Sequence, residues 1–196
     1  MEPITFTCDK CGKGFTSKKY ANHLKKKTPC RKVQNISKKY DVYTDPIDEL
    51  FKKYSELDNE LLINLCNVIK TTKENKHDNA EVSSPYELLN IMCDRIDANY
   101  FIDDSPKVLD YSCGKGNIII VIFLKYYDSI ISHCKDEIEA CKIVSRNIYY
   151  ADINDINVYI THYKLVKICE LLTKKKNIKY QSNSYVGDSL NMNIKK

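Results

Sequence analysis

Lys107-Val-Leu-Asp110-Tyr-Ser-Cys113-Gly114-Lys-Gly116-Asn117 is the stretch on which the reading of this chain turns. Val108 and Leu109 read as buried-strand residues, and Asp110 stands where that strand should end. Gly114 and Gly116 then permit a tight turn and let a ligand approach the backbone closely. Asn117 is placed to cap a following helix. Strand, acid, paired glycines and helix together make a cofactor cradle at the carboxyl end of a strand. Two glycines in a loop are often only a turn, so the weight rests on the order of the elements on either side.

Downstream, Ile118-Ile-Ile-Val-Ile-Phe-Leu124 has the β-branched content of a strand. Its position directly after the glycines predicts a buried helix instead. A second, amphipathic helix covers about Asp136 to Arg146, with Ile138, Cys141, Ile143 and Val144 on its apolar face. Ile148-Tyr-Tyr-Ala-Asp152 reads as a second strand ending in an acid. Asn154 to Thr173 reads as a long helix, and Tyr185-Val-Gly-Asp188-Ser-Leu190 as the end of a third strand. Parallel strands joined by right-handed crossovers place the three acids on one sheet edge. Asp110 would lie near a ligand's amino-acid end, Asp152 would take a ribose's two hydroxyls, and Asp188 an exocyclic amine. That set suits a nucleoside with a charged tail. Cys113 lies in the cradle, but neither His133 nor His162 is placed to make it a nucleophile, and no catalytic residue is assigned.

Upstream, Ser84-Pro85-Tyr86 opens a helix to about Ile96, because proline favours a first helical turn. Leu88, Leu89, Met92 and Cys93 form its apolar face, and Asp103 to Pro106 is a turn before the strand. Asp45-Pro46 reads as cap and first turn of an earlier helix, striped by Leu50, Phe51, Tyr54 and Leu57. Asp58 starts another, burying Leu61, Leu62, Leu65, Cys66, Val68 and Ile69. This helical pair carries no chemistry. Lys32 to Thr44 before it is a polar, basic linker.

The amino-terminal stretch has its own logic. Cys8, Cys11, His23 and Cys30 follow a C-x2-C-x11-H-x6-C spacing. Zinc takes four sulfur or nitrogen donors in a tetrahedron, here two from a hairpin and two at the end of a helix. Phe6, Phe15 and Tyr20 are a core too small to fold alone, so the metal would supply the stability. Lys18, Lys19, Lys25, Lys26, Lys27, Arg31 and Lys32 suit a nucleic-acid phosphate backbone. The same run is equally the solvated face of any basic segment, and a protein-binding finger stays open. This stretch resembles the two-Cys, two-His finger in a Cys-Cys-His-Cys variant, with a ββα expectation over about residues 4–32. The ending Lys27-Thr-Pro-Cys30-Arg31 is similar to single fingers at the front of many proteins of large DNA viruses of eukaryotes.

Charge supports the division. The chain of 196 residues carries +5 overall, yet residues 1–40 hold eleven basic and two acidic residues. The remainder is net acidic. Nine cysteines without a secretory apolar segment point to a reducing interior, hence an intracellular protein of the cytoplasm or nucleus of a host cell, not a secreted one. No apolar run is long enough for a membrane span.

Ser84 to Leu190 resembles the front half of an S-adenosylmethionine-dependent methyltransferase of the adenine-N6 DNA type, closest to the modification subunit of restriction systems. A Thr-Pro helix precedes the sheet in that family, matching Ser84-Pro85-Tyr86. The family's Asp-Pro-x-Cys-Gly-x-Gly matches Asp110-Tyr-Ser-Cys113-Gly114-Lys-Gly116, with Tyr111 in place of proline and Lys115 in place of a small hydroxyl residue. Its acid after the second strand matches Asp152, and its Gly-Asp-x-Leu matches Gly187-Asp188-Ser-Leu190. The resemblance implies S-adenosylmethionine at Pro85, Tyr86, Asp110, Gly114, Gly116, Asp152 and Asp188. The family's catalytic Asn or Asp followed by Pro-Pro and an aromatic residue is missing, since no proline follows Pro106.

The expectation is therefore an α/β chain: a zinc finger over 1–32, a basic linker and helical pair over 33–82, and a partial Rossmann-like sheet of about three parallel strands over 83–196. Its strand at Val108-Leu109 would have an open edge that needs a second polypeptide. The other readings are a zinc-finger nucleic-acid-binding protein on a degenerate methyltransferase scaffold, and a chain with no stable body.

Overall fold

The alternation of β-branched runs and amphipathic helices after residue 106 folds as a small parallel sheet with flanking helices. The computed structural model describes residues 5–7, 14–16, 36–69, 83–103, 106–178, 180–181 and 183–189. Two units separate at residue 42, Met1–Val42 and Tyr43–Lys196.

In the first unit, β1 (Thr5–Thr7) and β2 (Gly14–Thr16) pair antiparallel, with Phe6 opposite Phe15. Cys8, Cys11, His23 and Cys30 lie outside the described residues.

Helix α1 (Ile36–Lys53) begins before the expected Asp45-Pro46 start and carries Pro46 in its interior. Residues 36–44, expected as linker, are helical. An interior proline loses one backbone hydrogen bond and costs about 3 kcal/mol. Burial of Ile47, completely covered, offsets this together with Leu50 and Phe51 against the core. Next, α2 (Asn59–Asn67) is capped as expected by Asp58, whose carboxylate accepts from the Leu61 N–H at 2.7 Å.

Helix α3 (Tyr86–Cys93) starts behind Pro85 and buries only part of the expected face, Leu89 and Cys93, with Tyr86 added. Tyr86, Leu89 and Cys93 are inside, whereas Leu88, Ile91 and Met92 are each more than half exposed. A short α4 (Ala98–Asp103) lies ahead of the expected turn and takes in its first residue, and it presents Phe101 to Tyr126 with ring centroids 4.6 Å apart.

The sheet comprises β3 (Val108–Asp110), β4 (Ile148–Asp152) and β5 (Asn183–Val186), all parallel, in the order β3-β4-β5. Between β3 and β4 run α5 (Asn117–Ile130) and α6 (Glu137–Asn147); α7 (Asp155–Thr173) joins β4 to β5. The ambiguous isoleucine run is thus helical. Asp136 and Asn154 cap α6 and α7 by accepting from Glu139 and Ile156 N–H groups. Ile148 and Tyr150 point to the helix-covered face, where the Tyr150 hydroxyl meets His162 Nδ1 of α7 at 3.3 Å. Leu109, expected to be buried, lies on the other face and is 40% exposed. β3 pairs only with β4 among the described residues, so it is an edge strand.

Candidate ligand-binding site

Gly114 and Gly116 both take positive φ, +50° and +80°, the left-handed region that favours glycine. Only Gly116 is also held by space. A Cβ there would sit 2.6 Å from the Thr161 side chain of α7, whereas nothing lies within 4 Å at Gly114. Gly116 caps α5, and Asn117, expected as the cap, is instead the first helical residue with its side chain turned inward. Its amide donates to Ser83 Oγ at 2.9 Å and lies within 3.2 Å of the carbonyls of Cys66 and Ser84. The cap position passes to glycine because the turn needs positive φ there, which asparagine tolerates less well.

The carboxyl ends of the three strands meet as the sequence predicts, through their backbones more than through their acids. Asp152 is 8% exposed and both its oxygens are engaged: Gly114 N–H donates to Oδ2 at 2.9 Å and Asn154 N–H to Oδ1 at 2.8 Å. The Cys113 N–H donates to the Ala151 carbonyl, and the Gly187 N–H to the Asp152 carbonyl, at 2.9 and 3.0 Å. The glycine loop, the end of β4 and the turn after β5 are thereby stitched together.

A cavity of about 210 Å3 opens over this loop, lined by Ser84, Met92, Asp110, Ser112, Gly114 and Asn117 among others. Asp110 accepts from the Ser112 N–H at 3.0 Å. Burial raises its carboxyl above the usual range, opposed by that hydrogen bond, and the neighbouring Asp152 charge adds to the rise. A cationic group on a ligand would relieve that cost. Burial pushes the Cys113 thiol up to about 12, so it is protonated near neutral pH and makes no nucleophile.

Of the residues named from sequence, the structure brings Asp110 and Gly114 to the cavity wall, with Gly116 and Asp152 supporting the loop. Asp188 is exposed and does not line it. Pro85 is the exposed residue ahead of α3. Tyr86 faces elsewhere: it lines a separate cleft of about 580 Å3 with Asn59, Asp94, Lys125 and Asp128, and its hydroxyl donates to Asn59 Oδ1 at 3.4 Å.

Three participants, Thr161, Lys164 and Ile153, escaped the sequence reading. Thr161 and Lys164, three residues apart on α7 and so on one face, both reach the loop. The Thr161 hydroxyl donates to the Gly114 carbonyl at 3.2 Å, and the Lys164 ammonium to the Lys115 carbonyl at 3.1 Å. Their signal was present as two polar residues interrupting the apolar stripe of α7. Tyr111 and Ile153, directly after Asp110 and Asp152, are 64% and 72% exposed. They put apolar surface in water beside the strand tips.

Among the described residues no group of three or more His, Cys, Asp or Glu could hold a metal ion. No described helix is long and apolar enough to cross a membrane. No family model matches this chain, and no curated protein matches it.

Proposed function

We propose that the body of this chain is the cofactor-binding half of an S-adenosylmethionine-dependent methyltransferase of the adenine-N6 DNA type, behind a zinc finger that binds nucleic acid. The observation that carries the reading is the Gly114 N–H to Asp152 carboxylate bond. It fastens a left-handed glycine turn to the acid of the neighbouring parallel strand beside a cavity walled by Asp110. The strand order β3-β4-β5 and the helix after the glycines also match what such a half-sheet requires.

Bound there, the cofactor would supply an activated methyl group. Asp110 would accept the ammonium of its amino-acid tail, and the first turn of α5, whose N–H groups lack intrahelical acceptors, would take the carboxylate. The exposed Ile153 would pack against the base. A cavity of 210 Å3 falls below the roughly 300–1,000 Å3 of common small-molecule sites, so it fits the tail of this ligand and leaves the nucleoside on the open strand tips. These residues contain no Pro-Pro-aromatic loop, so transfer would require further polypeptide, which the unpaired edge of β3 would receive. Cys8, Cys11, His23 and Cys30 would hold Zn2+, and the lysines around them would contact DNA phosphates.

Isothermal titration with S-adenosylhomocysteine tests the reading. Binding by the native chain that is lost in Asp110→Asn supports it; no heat of binding by the native chain rejects it. The position of Asp188, exposed and outside the cavity wall, favours a second reading, in which the sheet is only scaffold and the finger alone binds nucleic acid. Silent titration combined with salt-dependent DNA binding that Cys8→Ala abolishes would select it.

A further inference from the structure

Lys164 is fully buried, an uncommon place for a lysine. Its ammonium reaches the Lys115 carbonyl at 3.1 Å and Asn117 Oδ1 at 3.4 Å. No salt bridge to a carboxylate is found for it among the described residues. Two neutral oxygens do not repay the desolvation of an ammonium. A methionine in the same space would avoid that cost. Both acceptors belong to the segment that turns from the glycine loop into α5, and Asn117 carries the contact onward to Ser83 and to the carbonyls of Cys66 and Ser84. One cation therefore sits under the loop and, through Asn117, under the part of the cavity wall formed by Ser83 and Ser84.

We propose that Lys164 is a positioning residue: from beneath, it fixes the Lys115–Asn117 turn in the shape that receives the anionic group of a ligand, and it places a positive charge behind that group. This rests on the ligand reading above for the identity of the anion, but not for the fixing of the turn. Thr161, one helical turn earlier on α7, holds the Gly114 carbonyl in the same manner. The charged groups facing Lys164 are Lys115 from the loop, which opposes its charge, and the Cys66 thiol of α2. Burial pushes the Lys164 ammonium down to about 8, and the Cys66 thiol up to about 11, so Cys66 stays neutral while Lys164 titrates. Between about 8 and the ordinary 10.5 the folded chain holds fewer protons than the unfolded chain, so folding stability rises with pH through that window.

The test compares the native full chain with Lys164→Met and Lys164→Gln, the latter keeping a donor without a charge. Hydrogen exchange is read at the amides of residues 113–118 in unligated protein, corrected for the intrinsic chemical rate. Exchange there should quicken roughly tenfold in Lys164→Met, the size of one lost charge-assisted hydrogen bond, less in Lys164→Gln, and not at all in α6. Raising the pH past the titration should bring the native loop toward the Lys164→Met rate and leave that variant's corrected rate unchanged. A packing role alone would not quicken loop exchange as the pH rises, because losing the buried charge then only stabilises the fold. S-adenosylhomocysteine should bind more weakly to Lys164→Met by a similar factor. Unchanged loop exchange in both variants overturns the proposal. If the native chain fails to bind S-adenosylhomocysteine, the ligand reading falls, and the exchange measurement alone still decides the role of Lys164.

Discussion

The two faces of the three-stranded sheet are treated unequally. On one face Ile148 and Tyr150 are sealed beneath α7, at 0% and 1% exposure. On the other, Leu109 and Tyr185 are 40% and 37% exposed and Tyr149 is half-buried, Ala151 alone being fully covered. Parallel sheets are ordinarily covered on both faces, because their crossover helices distribute to both sides. On the sealed face, Ile148 and Tyr150 join the buried core formed with the helices. The barer face and the edge of β3, unpaired among the described residues, are where the proposed function would have a further element add.

This contrast can be broken by substitution. Ile148→Ala on the sealed face should cost about 2–5 kcal/mol, as a buried aliphatic truncation that leaves a cavity does. Urea denaturation followed by circular dichroism measures it, and a loss no larger than that of a surface change would mean the sealed face is not the core. Gly116→Ala should cost about 1–3 kcal/mol from backbone strain alone, with the Thr161 clash added. The same melts should show Gly114→Ala costing less, since only its backbone angle objects. Smallest is Leu109→Ser on the barer face, which should change the stability of the isolated chain by less than about 0.5 kcal/mol. If a covering polypeptide exists, that same change should weaken its association in sedimentation or pull-down measurements. A large loss of intrinsic stability would instead show that the described elements already cover Leu109.

Much of the body was legible because its determinants are short-range. Asp58, Asp136 and Asn154 cap helices by hydrogen bonds reaching only two or three residues along the chain. The paired glycines announced their left-handed turn through the absence of a Cβ, and the isoleucine run became a helix because the turn feeds one. The errors have a common origin in packing. Pro46 marked a helix start locally, but burial of Ile47 carries the helix through it. Leu88 and Met92 have the right chemistry for a core, yet the rotation of α3 leaves them outside and adds Tyr86 to the expected Leu89 and Cys93. Tyr86 was assigned to the ligand site from its place beside Pro85, and that same rotation turns it into the neighbouring cleft.

By itself, the sequence determined the order of the three strands and the helices between them, the acids that end β3 and β4 and the need for glycine at the turn, because each depends on residues within a few positions of one another. Only the tertiary structure decided that Asp152 would bind the loop, that Thr161 and Lys164 would brace it from beneath, and that Leu109 would face outward. Those outcomes depend on which groups, nearly fifty residues apart in the case of Lys164 and Lys115, are shut away from water together. Desolvation makes such neighbours matter, and no local pattern of residues records it.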